Sequence, residues 1–483
     1  MQAETLIRHS AELLRIILKS KTLAADNLAS EYFRAKKYIG ASDRRFISEL
    51  LFHTLRNLLF AKKLATDANN EFDILGDGIN IDNKSEVLII STLLLSGFML
   101  DIELMPNIFR LTENGQQIND LVRILFHFEG SKFVDIIQFI KKETTKLLVW
   151  DNIKLSQINF LPKIEKDRLE AAVSMPILVL EKLNTKLETK SVLDVAETLL
   201  SPAPFFIRAN ESMIHRDDLV TYFMNNGFNC EKSNISPFAV KFNHRAKVTD
   251  TEFFQQGYFE IQDEASQLIG FALSPEPGDY VLDACAGAGG KSLLLSQIMK
   301  NNGKIISTDT EYQRLKQIRQ RAGRASIDII EAVHIKKKIF DISNSQTVSR
   351  FKKKLFDCIL IDAPCSGLGT SRRNPLLKFR LTADLLTKFT KSQTEILNDY
   401  SRFLAPGGTL VYSTCSILPD ENENIIEEFL LKNPDFSPDP LQPVFRKFGI
   451  KLDNLDESSS SLTIYPTKKG SDGFFISRMI KND

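Results

Sequence analysis

Two cysteines have the setting that thiol chemistry needs. Cys365 lies in Asp362-Ala363-Pro364-Cys365 and Cys415 in Tyr412-Ser413-Thr414-Cys415-Ser416. Each follows a short apolar run of the kind that forms a strand buried on both faces. Flanking Pro, Ser, Thr and Gly place both thiols in loops at strand carboxyl ends, where open parallel sheets bind ligands. Cys230, Cys285 and Cys358 read instead as small buried hydrophobes, the usual fate of a free cysteine, although Cys285 can meet a ligand through its backbone. A thiolate is the strongest nucleophile among side chains near neutral pH, but a free thiol titrates near ~8.5 and needs activation. Arg372 and Arg373 follow the Cys365 loop directly and suit an anionic partner.

A second constellation supplies a ligand cradle. The run Asp283-Ala284-Cys285-Ala286-Gly287-Ala288-Gly289-Gly290-Lys291-Ser292 follows an apolar strand, and its small residues let the backbone approach a ligand beside a helix N-terminus. It is not a Walker A motif, because one residue separates Gly287 from Gly289-Gly290-Lys291. The next strand ends at Asp309, placed to hydrogen-bond ribose hydroxyls, its bland alternative being a cap for the helix that follows. Asp341 follows Ile339-Phe340, so Asp283, Asp309, Asp341 and Asp362 are four strand-end carboxylates able to ring one nucleoside.

The elements that position these residues fall into regions. With 483 residues, a prior of ~150 residues per domain suggests about three. Residues 1–150 read as a helical domain, with one apolar face over Leu6, Leu13, Leu14 and Ile17. Another runs over Phe46, Ile47, Leu50, Leu51, Leu55, Leu58 and Leu59, with Ser42-Asp43 as its expected cap. Residues 151–200 read as a helical connector. Residues 201–256 form a small α+β unit, with strands at Phe205–Arg208 and Phe238–Phe242 around a helix at His215–Asn226. Residues 257–483 alternate strands and helices, which predicts a doubly wound α/β sheet. Its strands are expected at Tyr280–Asp283, Lys304–Asp309, Phe356–Asp362, Gly408–Tyr412 and Gly473–Ser477.

Composition is that of an ordinary globular protein, 43% hydrophobic and 25% charged, and the net charge of +1 favours no partner class. No secretory signal is expected at the start. The longest apolar run, Val87–Leu100, falls short of the ~20 residues of a membrane span and is read as a buried helix. Five cysteines without a CxxC predict a reducing, cytoplasmic setting, with neither disulfide framework nor metal site. Glu311–Lys354 holds twelve Lys/Arg against four Asp/Glu, a basic stretch that serves equally as a solvated face or a phosphate contact.

Taken together, these motifs resemble the NOL1/NOP2/Sun family of S-adenosylmethionine-dependent RNA cytosine-C5 methyltransferases. The resemblance covers roughly Pro202 to the C-terminus and rests on the Asp362–Gly367 and Tyr412–Ile417 pair. It is joined by Gly257–Ser266, Arg314-Leu315 after Asp309, and Asp472-Gly473-Phe474-Phe475. Gly40–Arg56 resembles a NusB-like RNA-binding helical domain, and the whole is similar to the bacterial RsmB (Sun/Fmu) branch, which methylates small-subunit ribosomal RNA. Ala288 stands where the family usually has proline, and Asn374 where it has histidine. The resemblance implies a Rossmann-like class I methyltransferase domain preceded by a small RRM-like subdomain. It also implies S-adenosylmethionine held by residues 285–291 (Cys285, Ala286, Gly287, Ala288, Gly289, Gly290, Lys291) with Asp309, Asp341 and Asp362. RNA would be contacted by Arg314, Arg372 and Arg373, and the chain is expected to act as a monomer.

Cytosine C5 is a poor nucleophile, so a thiolate must first add at C6. Two thiols then make sense, one to attack and one to assist release, and the residues alone leave the assignment open. The resemblance implies that Cys415 attacks and Cys365 assists release, with Asp362 on the N3/N4 edge of the base and Lys291 nearby.

Overall fold

In the computed structural model, residues 3–20, 24–63, 66, 163–244, 246–335, 346–453 and 455–483 are described. Val87–Leu100, Lys336–Lys338 and Asp341 lie outside them. The chain forms two compact units, Met1–Pro202 with Ser371–Arg380, and Ala203–Thr370 with Leu381–Asp483.

The first unit is helical where it is described. Helices α1 (Ala3–Lys19), α2 (Ala25–Ala35) and α3 (Ala41–Arg56) bury their apolar stripes, Leu6, Leu13, Leu14 and Ile17 from α1 against Phe46, Ile47, Leu50, Leu51 and Leu55 from α3. Helix α3 begins one residue earlier than the expected cap. Extended Gly40 is its N-cap, so Ser42 and Asp43 fall within the first turn, where Asp43 favours the helix dipole without capping. Three shorter helices follow at Lys163–Ala172, Ile177–Asn184 and Thr189–Thr198.

Ser371–Arg380 joins this unit by specific bonds. The Arg56 Nε donates to the Arg372 carbonyl (3.3 Å), Lys378 Nζ to the Arg56 carbonyl (3.0 Å) and Arg380 Nη2 to the Ser20 carbonyl (2.6 Å). Arg372 is fully buried here. Its surroundings are therefore not those of a solvent-facing side chain, and Leu376 of the same segment enters the helical core. Arg373 is half-buried.

The second unit contains two sheets. The smaller comprises β1 (Phe205–Ala209), β2 (Cys230–Lys232), β3 (Ala239–Phe242) and β4 (Phe259–Ile261), antiparallel in the order β2-β3-β1-β4. Its fourth strand comes from beyond residue 256 and pairs with β1. The helix Arg216–Asn225 covers it with Leu219 and Phe223.

The larger sheet comprises β5 (Tyr280–Asp283), β6 (Lys304–Asp309), β7 (Ile330–His334), β8 (Phe356–Asp362), β9 (Leu404–Thr414), β10 (Phe436–Pro438), β11 (Ser461–Ile464) and β12 (Phe474–Lys481). Its order is β10-β12-β9-β8-β5-β6-β7, with β11 beside β12. Strands β7, β6, β5, β8 and β9 run parallel, and β12 is antiparallel to β9. Side chains alternate across it, as strand geometry requires. Leu282, Ile306, Ile359, Ile361, Leu410 and Tyr412 enter one core layer, and Val281, Ile305, Leu360 and Val411 enter the other. Both faces are thus covered, and this is the doubly wound Rossmann-like arrangement. No helix among the described residues is long and apolar enough to cross a membrane.

Two details fix the carboxyl edge of this sheet. Asp283 does not face that edge as a ligand group. It is fully buried, its Oδ2 accepting from Ser292 Oγ (2.6 Å) while Ser307 Oγ donates to Ser292 Oγ (2.8 Å), so it braces β5 to β6 from beneath. Burial raises its carboxyl pKa from 3.8 to about 7. At Gly369 the backbone N–H donates to the Cys415 carbonyl (2.9 Å), and its own carbonyl accepts from Gly473 N–H (2.9 Å). A Cβ at Gly369 would lie 2.1 Å from the Gly473 carbonyl oxygen.

Two outcomes follow. A carboxyl whose pKa is raised on folding binds its proton more tightly in the native state. Its contribution is therefore lost as pH rises from about 4, the unfolded value, to about 7. The stability of Asp283→Asn relative to wild type should accordingly increase across that window in urea unfolding series, and a pH-independent difference contradicts this. Gly369→Ala should cost about 1–3 kcal/mol, the usual range for overpacking, because backbone rather than a flexible side chain blocks the added methyl. An unfolding midpoint equal to wild type would refute it.

Candidate active site

The site gathers at the carboxyl ends of β5, β6, β8 and β9. After β5 the chain turns through two left-handed glycines, Gly287 (φ 54°) and Gly289 (φ 82°), into the helix Gly290–Ile298. Glycine is required at the second position on two counts, since a Cβ there would also sit 2.7 Å from Ile318 Cγ1. Four bonds hold the loop. Ala286 N–H donates to the Thr308 carbonyl (2.9 Å) and Gly287 N–H to Asp309 Oδ2 (2.8 Å), while Arg321 Nη1 donates to the Ala288 carbonyl (2.7 Å) and Arg208 Nη1 to the Gly290 carbonyl (2.9 Å). Arg321 and Arg324 are both paired to buried Glu260.

Both oxygens of Asp309 are engaged by backbone. Its Oδ2 holds the glycine loop, and its Oδ1 accepts from Glu311 N–H (2.7 Å) at the start of the helix Tyr312–Arg324. Arg314 lies on that helix, exposed, with its Nε paired to Glu311 Oε2 at 3.0 Å. Cys285 is half-buried, and burial, with the charges of Asp283, Asp362 and Asp309, pushes its thiol well above the ordinary range.

The candidate catalytic side chains converge on the β8–β9 pair. The parallel register sets Asp362 opposite Ser413. Asp362 Oδ2 pairs with Lys291 Nζ at 2.6 Å, and Oδ1 accepts from Ser413 Oγ at 3.0 Å. Burial pulls the Lys291 pKa down, but the Asp362 charge and hydrogen bond outweigh it and leave the ammonium held above its ordinary value. Asp283 and Cys415 also act on it. The ammonium also lies 5.8 Å from the centroid of Phe474. Cys365 Sγ lies 3.3 Å from Cys415 Sγ, a thiol–thiol hydrogen bond. Cys365 is held well above the usual thiol range, first by that bond, then by burial and by the charges of Cys415 and Glu421.

Cys365, Cys415, Asp362 and Lys291 thus form one cluster, and the loop 285–290 with Asp309 forms the adjoining cradle. Arg372 and Arg373 belong to the other unit, and Asp341 lies outside the described residues. The sequence reading missed the polar shell beneath the thiols. Glu421, fully buried, accepts from Ser366 N–H (2.8 Å) and Ser366 Oγ (2.5 Å), and Asn422 Oδ1 accepts from Thr414 Oγ1 (2.6 Å). Its signal was Pro419-Asp420-Glu421-Asn422 directly after the Cys415 strand, a charged run that reads as exposed loop until its burial is known. Among the described residues no group of three or more His, Cys, Asp or Glu is placed to hold a metal ion.

The cradle fits a nucleoside-bearing cofactor. Its glycines leave room for close backbone approach, a Cβ at Gly287 meeting nothing within 4 Å, and the Asp309 carboxylate closes the second strand end.

Residues 270–480 match the family described as 16S rRNA methyltransferase RsmB/F. The probable ribosomal RNA small subunit methyltransferase B of Bacillus subtilis (strain 168) is 29% identical over 98% of this chain and 95% of its own length. That of Coxiella burnetii (strain RSA 493 / Nine Mile phase I) is 30% identical over 58% of this chain and 62% of its own length. Among solved structures, PH0851 superposes with a TM-score of 0.70 at 22% identity, covering 100% of this chain and 99% of that one. A methyltransferase homolog protein from Pyrococcus horikoshii gives a TM-score of 0.55 at 29% identity over 66% of this chain and 100% of its own. NSun6 from the same organism, solved with SFG, gives 0.55 at 19% over 64% and 98%. With the two-thiol edge, the glycine cradle and similarity along nearly the whole length, the chain is similar to the RsmB/Sun methyltransferases, whose family model it matches over residues 270–480.

Proposed function

We propose that this protein forms 5-methylcytosine in small-subunit ribosomal RNA through a covalent cysteine–C6 adduct. The observation that carries the reading is the pair of thiol sulfurs 3.3 Å apart beside the Lys291–Asp362 ion pair. The names of the relatives supply the RNA class.

S-adenosylmethionine supplies the methyl group and a sulfonium charge. The chain's residues do the rest. Lys291 lies within electrostatic reach of Cys415 and holds the Asp362 carboxylate at 2.6 Å. Cys415 Sγ bonds to C6, and the C5=C6 pair moves onto C5 for methyl capture. Asp362, anchored by Lys291 and Ser413, orients the N3/N4 edge of the base and stabilises the adduct. A base then takes the C5 proton, the C5–H pair re-forms C5=C6, and the S–C6 bond breaks. The departing Cys415 sulfur takes a hydrogen bond from the Cys365 S–H, which stays protonated until that moment.

Chemistry at C6 requires the cytosine out of its stack, so the substrate is single-stranded, looped or locally opened RNA. The helices α1–α3 act in this reading as a NusB-like RNA-binding unit, and the sheet β2-β3-β1-β4 as an RNA-binding subdomain. The protein works in the cytoplasm, where ribosomal RNA is made.

Cys415→Ala should abolish methyl transfer, whereas Cys365→Ala should accumulate an enzyme–RNA adduct that survives denaturing gels. Full activity in Cys415→Ala would overturn the adduct mechanism. Bisulfite sequencing of ribosomal and transfer RNA from a strain lacking the gene should show one small-subunit cytosine losing its methyl mark. An unchanged map would reject the function, and a loss confined to transfer RNA would reject the substrate.

A further inference from the structure

The buried carboxylate of Glu421 has no part in the chemistry above, yet it touches the backbone of the second thiol. It sits in the turn Pro419–Glu421, with Oε1 accepting from Ser366 N–H (2.8 Å) and Gln393 Nε2 (3.1 Å), and Oε2 from Ser366 Oγ (2.5 Å). Gln393 Nε2 also donates to the Pro364 carbonyl (2.9 Å). The residues on both sides of Cys365 are therefore held, Ser366 directly by Glu421 and Pro364 through Gln393. The Glu421 carbonyl accepts from Tyr412 Oη (2.8 Å), which ties the same residue to the strand that delivers Cys415.

These partners are all neutral. A carboxylate taken out of water costs several kcal/mol unless it is fully hydrogen-bonded, and an uncharged acceptor would satisfy most of the same donors at lower cost. The charge therefore has a consequence of its own at the nearest titratable group. The ionisable groups acting on or facing Cys365 are Cys415 and Tyr412 from β9 and its loop, and Glu421 from the turn below.

We propose that Glu421 is the positioning residue for the second thiol. It clamps the Pro364–Ser366 turn so that Cys365 stays in contact with Cys415, and its negative charge keeps Cys365 the proton-bearing member of the pair. Both thiols lie at strand ends and are bonded to each other, and Lys291 acts on the Cys415 side of the pair. Glu421 adds to the difference, since it is bonded directly to the backbone beside Cys365 and reaches the neighbourhood of Cys415 only through intermediaries, Tyr412 and the Ser366–Ser416 hydroxyl contact. Its effect falls on release of the methylated base rather than on attack. This inference rests on the two-thiol reading above.

The test uses the full-length chain, S-adenosylmethionine with a labelled methyl group, and unmodified small-subunit ribosomal RNA. Glu421→Ala should keep single-turnover methyl transfer within about threefold of wild type, slow multiple turnover at least about tenfold, and accumulate the denaturation-resistant adduct. Glu421→Gln keeps the shape and an acceptor for Ser366 N–H, and is read in its place should the alanine variant fail to fold. Its separate readout is alkylation of Cys365 by iodoacetamide against pH, located by peptide mass spectrometry. Comparing Cys415→Ser with Cys415→Ser/Glu421→Gln, removal of the negative charge should move that profile to lower pH. An unmoved profile together with wild-type turnover and no adduct would overturn the proposal. A fully active Cys415→Ala would instead overturn the mechanism beneath it, so the two failures are distinguishable.

Discussion

The parallel pairing of β8 with β9 is the constraint on which the site depends. It joins segments fifty residues apart and sets Asp362 beside Ser413, so that the loops following both strands leave the sheet side by side. Parallel neighbours cannot be joined by a tight turn, and here the connection runs through the helix Ala383–Ser401, whose Gln393 returns to bond Pro364. The crossover thus helps to hold the Cys365 loop as well as covering the sheet. The contact of the two sulfurs is the end product of strand register, not of any local motif.

Around that pairing the structure uses backbone more than side chains to fix distances. Gly369 bonds the Cys415 carbonyl and Gly473 together, linking the loop after β8, the loop after β9 and the start of β12. No residue with a Cβ fits at that junction. The cofactor cradle follows the same logic, its carbonyls at Ala288 and Gly290 drawn down by Arg321 and Arg208. Burial lowers the Arg208 guanidinium pKa to about 9, with Glu260 opposing that shift. Since Arg208 lies on β1, the small sheet and the cradle are mechanically one piece.

Carboxylates at one sheet edge do four different jobs because their burial and partners differ. Asp283 is sealed beneath the edge and braces two strands. Asp309 folds the glycine loop and starts a helix, Asp362 neutralises Lys291, and Glu421 sits below the thiols accepting from Ser366 and Gln393. A residue type at a strand end is therefore only a candidate. Which solvent, donor or cation it meets decides whether it binds, braces or tunes.

The sequence by itself determined the strand ends and the chemistry available there. Lys304–Asp309 and Phe356–Asp362 are strands over the very residues that their apolar runs marked, and the glycine loop and both thiols follow strands as expected. These features are local, since apolar periodicity, glycine freedom and proline stops act within a few residues. Only the tertiary structure decided the register that sets Asp362 opposite Ser413 and that β4 completes the small sheet. It alone showed that Arg372 is buried among helices and that Glu421 lies under Cys365. Each depends on contacts between distant segments, where burial reverses the ordinary meaning of a charged residue. An arginine after a catalytic loop and a glutamate in an acidic turn both read as solvent-facing until their surroundings are known.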